Sequence, residues 1–340
     1  MEKPSLDTAK AGAMRFNTDS SQMEIYDGNQ WTGILATSPH QQTNGTRGLI
    51  MGGIKLNPTR RTADVEFITI DTTGNGIDFG ELVQSASQGG GLGSRTRAVA
   101  GGGTPSSPGG TNNIDFHEFA STGNFNDFGD FATTGFARAG ISNSTRGVWL
   151  GRAVAPGVYN EIEYITIAST GDAKDFGDLT ATRHTLGAAG NATRGIAIGG
   201  GPNSGSSTLG TMDYVTISTL GNAAEFGDLT SSVWNTRGGN CGNAVRGLTT
   251  GGDQGSTNII QFITINTLGN SVDFGDRTVA KSQVAHMSST TRGVFAGEGN
   301  ASDLTIDYVH IMTTGNAFDF GDLTEGNGYC AGASNGHGGL

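Results

Sequence analysis

NAFDFGDLT, residues 316–324, contains Asp319-Phe320-Gly321, the triplet with which a protein kinase holds magnesium. The same phrase returns as GIDFGEL (76–82), FNDFGDF (125–131), AKDFGDL (173–179), AAEFGDL (223–229) and SVDFGDR (271–277). Its phenylalanines are Phe79, Phe128, Phe176, Phe226, Phe274 and Phe320, separated by 49, 48, 50, 48 and 46 residues. A kinase has one such triplet, after a glycine-rich loop and a catalytic loop in fixed order, and that order is absent here. Six copies at a near-constant period specify architecture.

A second phrase precedes each copy: VEFITI, IDFHEF, IEYITI, MDYVTI, IQFITI and IDYVHI. Its aromatic residues, Phe67, Phe116, Tyr164, Tyr214, Phe262 and Tyr308, each stand 12 residues before the phenylalanine of the following phrase. Alternating polarity and β-branched residues mark these segments as strands, and the TTGN, STGN, STGD or TLGN that follows supplies a hairpin turn. A third phrase, Thr-Arg-Gly or a close variant followed by apolar residues, supplies Arg47, Arg97, Arg146, Arg194, Arg246 and Arg292. Each phenylalanine is followed by the next arginine after 18 residues, except for 20 between Phe226 and Arg246. Small-residue stretches such as HTLGAAGNA (184–192) fill that interval and suit a closely packed strand.

Each period of about 50 residues thus offers four short strands, and six four-stranded units predict an all-β fold, a six-bladed β-propeller. A solenoid of the same repeats is the alternative. The order within a unit resembles the kelch repeat over residues 41–340, with the phenylalanine of the Asp-Phe-Gly-Asp phrase where a kelch repeat has tryptophan. Counting in that order, residues 46–340 form the propeller. The first unit lacks its first strand, and GNGYCAGASN (326–335) is expected to complete it, leaving no open edge at the seam.

From each repeat arginine to the next strand aromatic the counts are 20, 19, 18, 20, 16 and 16, so length varies in one loop per unit. Those loops are residues 54–64, 103–113, 153–161, 201–211, 253–258 and 298–303. They are expected on one face, where variable loops meet a partner or simply drift in length.

Residues 1–45 lie outside the repeats. AMRFNTDSSQMEIYDGNQWTGI (13–34) reads as a three-stranded β-meander, too small to be stable without a surface to pack on. Its apolar side chains, among them Phe16, Ile25, Tyr26 and Trp31, are therefore expected to mediate attachment or self-association. The run Arg15-Phe16-Asn17-Thr18 with Tyr26-Asp27-Gly28 and Trp31 resembles a segment of tail-fibre and other virion proteins of tailed bacteriophages. The repeats, of the form TRG…IEYITIASTGDAKDFGDLT, resemble those of structural proteins of the same viruses. The resemblance implies a virion component, with other virion proteins as partners through residues 1–45. It further implies a host-surface glycan or protein at the loops, and a homo-oligomer of trimeric type.

Composition bounds the alternatives. With 58 Gly, 15% charged residues and a net charge of −11, the chain offers neither a large helical core nor the clustered cations of a nucleic-acid surface. No stretch is apolar enough to insert into a membrane, and Cys241 and Cys330 are too few for a disulfide framework or a cysteine-based zinc site. The six histidines occupy unrelated repeat positions, and no nucleophile–base motif accompanies them. Acid pairs such as Asp175 and Asp178 could serve a glycan-cleaving enzyme, but they recur in every repeat, which favours turn-forming or arginine-pairing roles. The reading is therefore a non-enzymatic virion protein of tail or host-attachment type, without cofactor or metal, with a head-decorating protein and a glycan-degrading tailspike-like enzyme as alternatives. The repeat arginines are expected to form ion pairs with the acids of the Asp-Phe-Gly-Asp phrases.

Overall fold

The computed structural model describes residues 10–17, 22–33, 46–56, 58–105, 109–202, 208–232, 239–251, 257–298 and 303–340. The chain divides into two compact units, Met1–Gln42 and Thr43–Leu340, and among the described residues there is no helix.

The first unit is an antiparallel sheet in which β1 (Met14–Asn17), β2 (Gln22–Tyr26) and β3 (Trp31–Gly33) lie in chain order. The β2–β3 turn is closed by Asp27, whose Oδ1 accepts from the backbone N–H of Asn29 and Gln30, both at 2.8 Å.

In the second unit, sheet I contains β4 (Arg47–Leu56), β5 (Thr59–Thr69) and β6 (Ile77–Glu81). Sheet II is β7 (Gly90–Gly93), β8 (Arg97–Gly101), β9 (Thr111–Glu118) and β10 (Asn126–Gly135). Sheet III is β11 (Ala139–Ser142), β12 (Arg146–Val154), β13 (Gly157–Thr166) and β14 (Lys174–Asp178). Sheet IV is β15 (Gly187–Gly190), β16 (Arg194–Ile198), β17 (Thr211–Thr216) and β18 (Ala224–Asp228). Sheet V holds β19 (Arg246–Thr250), β20 (Thr257–Thr264) and β21 (Val272–Lys281), and sheet VI holds β22 (Ala285–Ser288), β23 (Arg292–Ala296), β24 (Thr305–His310) and β25 (Phe318–Asp322). Every strand ladder among the described residues is antiparallel, and β26 (Ala331–Ser334) joins sheet I beside β4, with Ala331 opposite Met51 and Ser334 opposite Gly48.

Sheet V departs from the expected four strands. Where a first strand would run, Asn240 and Gly242 make only isolated bridges, to Ala188 and Gly247, and residues 233–238 lie outside the described residues. The two-residue longer interval falls here. Gly242 takes φ +148°, and the Asn240 side chain accepts from the Gly190 N–H of β15 in the neighbouring sheet.

The core is divided among the contacts between successive sheets. Phe79 of sheet I packs with Ala98 and Phe119 of sheet II, Phe176 of sheet III with Val215 and Ile217 of sheet IV, and Phe320 of sheet VI with Ile68 and Ile70 of sheet I. A bulge aims each phenylalanine. Val65 pairs with Gly80 and Glu66 with Asp78, so Phe79 has no cross-strand partner, and the same irregularity occurs at Phe128, Phe176, Phe226, Phe274 and Phe320. The small residues of the first strands permit close approach: a Cβ on Gly140 would lie 2.2 Å from the Gly91 carbonyl oxygen, and one on Gly332 2.3 Å from that of His286.

Candidate functional site

The Asp-Phe-Gly phrase is half of a joint between sheets. The Gly80 Cα faces the turn of the next sheet so closely that a Cβ would stand 2.3 Å from the Gly123 carbonyl oxygen, and Gly80 has φ +142°. Gly123 N–H donates to the Phe79 carbonyl at 2.7 Å, Phe125 N–H to that of Glu81 at 2.7 Å, and Glu81 N–H to Asn124 Oδ1 at 3.2 Å. Every following sheet contact repeats the three bonds, with Asp172, Asn222, Asn270 and Asn316 as side-chain acceptors. Sheet VI meets sheet I in the same way: Gly74 N–H donates to Phe320 O at 2.9 Å, Gly76 N–H to Asp322 O at 2.8 Å, and Asp322 N–H to Asn75 Oδ1 at 3.1 Å. The TGN segment thus acts beyond its own hairpin, as the latch that its recurring asparagine could have signalled.

The repeat arginines do not form the expected ion pairs. Their guanidinium carbons lie over the strand aromatics at 4.7, 4.4, 4.6, 4.5, 4.4 and 4.6 Å, for Arg47 on Phe67, Arg97 on Phe116, Arg146 on Tyr164, Arg194 on Tyr214, Arg246 on Phe262 and Arg292 on Tyr308. Each Nη1 then donates to a carbonyl of the next sheet, Arg47 to Phe119 at 2.6 Å and Arg292 to Ile70 at 3.1 Å. Among the described residues only Arg97 of the six has a carboxylate partner, Glu118 at 3.1 Å. The first acids of the phrases, Asp78, Asp127, Asp175, Glu225, Asp273 and Asp319, are exposed, because strand alternation turns them away from the buried phenylalanine.

The acids that do matter stand one residue before the strand aromatic: Glu66, Asp115, Glu163, Asp213 and Asp307, with Gln261 in sheet V, all 6% exposed or less. Each accepts from the segment leaving the preceding sheet. Thr180 Oγ1 donates to Asp213 at 2.8 Å, Ala132 N–H to Glu163 at 3.0 Å, Thr230 Oγ1 to Gln261 at 2.7 Å and Thr324 Oγ1 to Glu66 at 2.7 Å. Three also hold a buried guanidinium, Arg138 with Glu163 at 2.6 Å, Arg183 with Asp213 at 2.9 Å and Arg277 with Asp307 at 2.9 Å. The sequence reading passed over these positions; their signal is a polar residue at one fixed place in an otherwise apolar face.

Two ends of the second unit differ. At one, the C-terminal segment bonds to the arginine turn at Arg47 and to Gly242, and His337 within it is buried. Its Nδ1 accepts from Asn240 Nδ2 at 2.9 Å and Gly339 N–H at 3.1 Å, while Nε2 lies 3.0 Å from the Gly93 carbonyl, which fixes the Nε2–H tautomer. Burial, against the pull of that carbonyl and helped by Arg95, lowers its pKa to about 4. At the other end stand the loops of varying length. The segment before each first strand crosses them, as Ser87 bridging Thr104 and His184 bridging Gly201. Non-glycine residues there take left-handed backbone: Gln88, Ala137, Thr185, Gln283 and Tyr329, at φ 67°, 58°, 55°, 60° and 60°. Gln88 N–H donates to Tyr329 O at 2.8 Å and Ala137 N–H to Gln88 O at 2.7 Å, linking successive sheets. Residues 57, 106–108, 203–207, 252–256 and 299–302 of these loops lie outside the described residues.

In the first unit, Arg15 lies 4.2 Å over Trp31 and pairs with Glu24 at 2.7 Å. Ile25 is exposed, but Tyr26, expected on an attachment surface, is buried with its ring 5.4 Å from Trp31. Phe16 lies in β1; its side chain, and Ile34, fall outside the described residues.

In comparisons with known proteins, no family model matches the chain, and no curated protein matches its sequence.

Proposed function

We propose that residues 46–340 close into a six-bladed, kelch-like β-propeller and that the chain is a non-enzymatic structural protein of a tailed-bacteriophage virion. Its place is the tail fibre or baseplate, with the variable-loop end of the propeller meeting a host-surface glycan or protein. The observation that carries the propeller is the joint between sheets VI and I, made of the same three hydrogen bonds as the joint between sheets I and II. Six repeats that returned to their start without closing would leave Asn75 and Asp322 apart.

What supports the binding face is the coincidence of two features at one end: loops of unequal length, and a row of left-handed non-glycine residues, a strain that folds maintain at functional places more often than elsewhere. What supports the virion reading is the resemblance of the N-terminal phrase and of the repeats. Residues 1–45 are assigned to attachment, through Ile25, Trp31 and Phe16, to neighbouring virion proteins or to copies of the chain in a trimer.

Purified residues 43–340 should compete with phage for host cells, and loop replacement at 153–161 should weaken the competition. Chain lacking residues 1–42 should fold yet fail to join particles. Full competition failure with normal incorporation of the chain into heads would establish the head-decorating reading instead, and release of reducing ends from host polysaccharide the enzymatic one.

A further inference from the structure

Of the six equivalent buried acids and glutamine, Asp115 is incompletely satisfied. Its Oδ2 accepts from the Val83 N–H at 3.1 Å and the Gln84 backbone N–H also favours its charge, whereas its Oδ1 makes no well-formed hydrogen bond although the residue is only 6% exposed. At the matching contacts, Thr180, Thr278 and Thr324 supply a hydroxyl, and Arg138, Arg183 and Arg277 supply a guanidinium to three of the acids. Here valine occupies the threonine position and no arginine enters. A recess of about 20 Å³ remains, its polar wall made by Asp115, Gln84, Asn113 and Thr111 and its apolar wall including Leu82 and Ala100.

A space of that size holds one water-sized group. The wall carries neutral oxygens beside the carboxylate: Gln84 Oε1, which accepts from Asn113 Nδ2 at 3.4 Å, and Asn113 Oδ1, which accepts from Thr111 Oγ1 at 3.1 Å. One carboxylate with neutral oxygens matches a single positive charge. A divalent ion draws on more acidic ligands, and among the described residues no group of three or more His, Cys, Asp or Glu is placed to hold one.

We propose that the recess between sheets I and II binds a monovalent cation of about water's size, potassium or ammonium, on Asp115 Oδ1, in place of the guanidinium that the chain itself supplies at three matching contacts. The occupant neutralises a buried carboxylate that also feels Asp127.

The test is thermal unfolding of the full chain at pH 7.5 and constant ionic strength, in the chlorides of potassium, ammonium and tetramethylammonium. Potassium and ammonium should raise the melting temperature saturably, by about 2 °C over tetramethylammonium, which is too large to enter. The difference should vanish in Asp115→Asn. It should also vanish in Val83→Thr, which gives Oδ1 the hydroxyl found at the matching contacts and, at a 53% exposed position, leaves packing intact. Equal melting in all three salts, or a cation preference that survives in Val83→Thr, overturns the proposal.

Discussion

At the scale of single residues, the buried acids accept from donors of the preceding sheet, and three of them also hold a buried guanidinium. Arg183 and Asp213 are 0% and 1% exposed in their side chains and pair at 2.9 Å, so each charge is compensated by the other where water does not reach. Removing one partner leaves an uncompensated charge, so Arg183→Met should cost about 3–5 kcal/mol in chemical denaturation. Adding Asp213→Leu to the same chain should recover most of that loss. If the double variant is as weak as the single one, the pair contributes more than mutual neutralisation. His337 makes the second residue-scale prediction. Its folded pKa, about 4, lies below the ordinary value of 6.5, so the neutral ring is the folded form. The stability it contributes is present above pH 6.5 and is lost as pH falls from there through 4. Between pH 7.5 and 4.5 the wild-type chain should lose roughly 2–3 kcal/mol more than His337→Gln, because that titration is the part of their difference that varies with pH. Parallel pH profiles would mean that His337 does not titrate in the fold.

At the scale of the strand, the phrase and its turn explain why a glycine follows every buried phenylalanine. Gly321 combines φ +147° with a Cβ position 2.5 Å from the Gly74 carbonyl oxygen, so Gly321→Ala should cost at least about 2 kcal/mol through strain and collision together. Asn75→Ala, which removes one exposed side-chain acceptor, should cost about 1 kcal/mol or less. Reversal of that order in denaturation midpoints would show that the side-chain latch, not the backbone approach, holds the contact. Much of this element-level pattern was legible in sequence: the fixed 12-residue spacing marks the antiparallel pair that brings Phe67 and Phe79 rings to 6.1 Å. The partners of the charged residues were not legible. Arginine and acid both recur in every repeat, but alternation along the strand places Asp78 on the exposed side while Arg47 stacks on Phe67 and reaches the carbonyl of Phe119 beyond β9. Glu66 escaped notice for the same reason, because its donor, Thr324, is 258 residues away in sequence.

At the scale of the whole chain, each sheet of the second unit contributes to two cores, one with each neighbour, so stability depends on every contact being made. The cluster of Phe320, Leu323 and Met287 with Ile50, Ile68 and Ile70 joins the last sheet to the first. The sheet I ladder joins the two ends of the unit covalently far apart, through β26 against β4. Closure of this kind removes an exposed strand edge, and it makes the seam the place where the six-bladed reading stands or falls. Ala331 and Met51 are direct cross-strand partners and share one core cluster, so cysteines placed at both lie within reach of a disulfide. The measurement is oxidation of an Ala331→Cys, Met51→Cys chain in a Cys241→Ala, Cys330→Ala background, read by non-reducing gel mobility and intact mass. A closed propeller predicts rapid intramolecular cross-linking of the monomer and a higher denaturation midpoint when oxidised than when reduced. A folded chain that forms only intermolecular disulfides, or none, would contradict it.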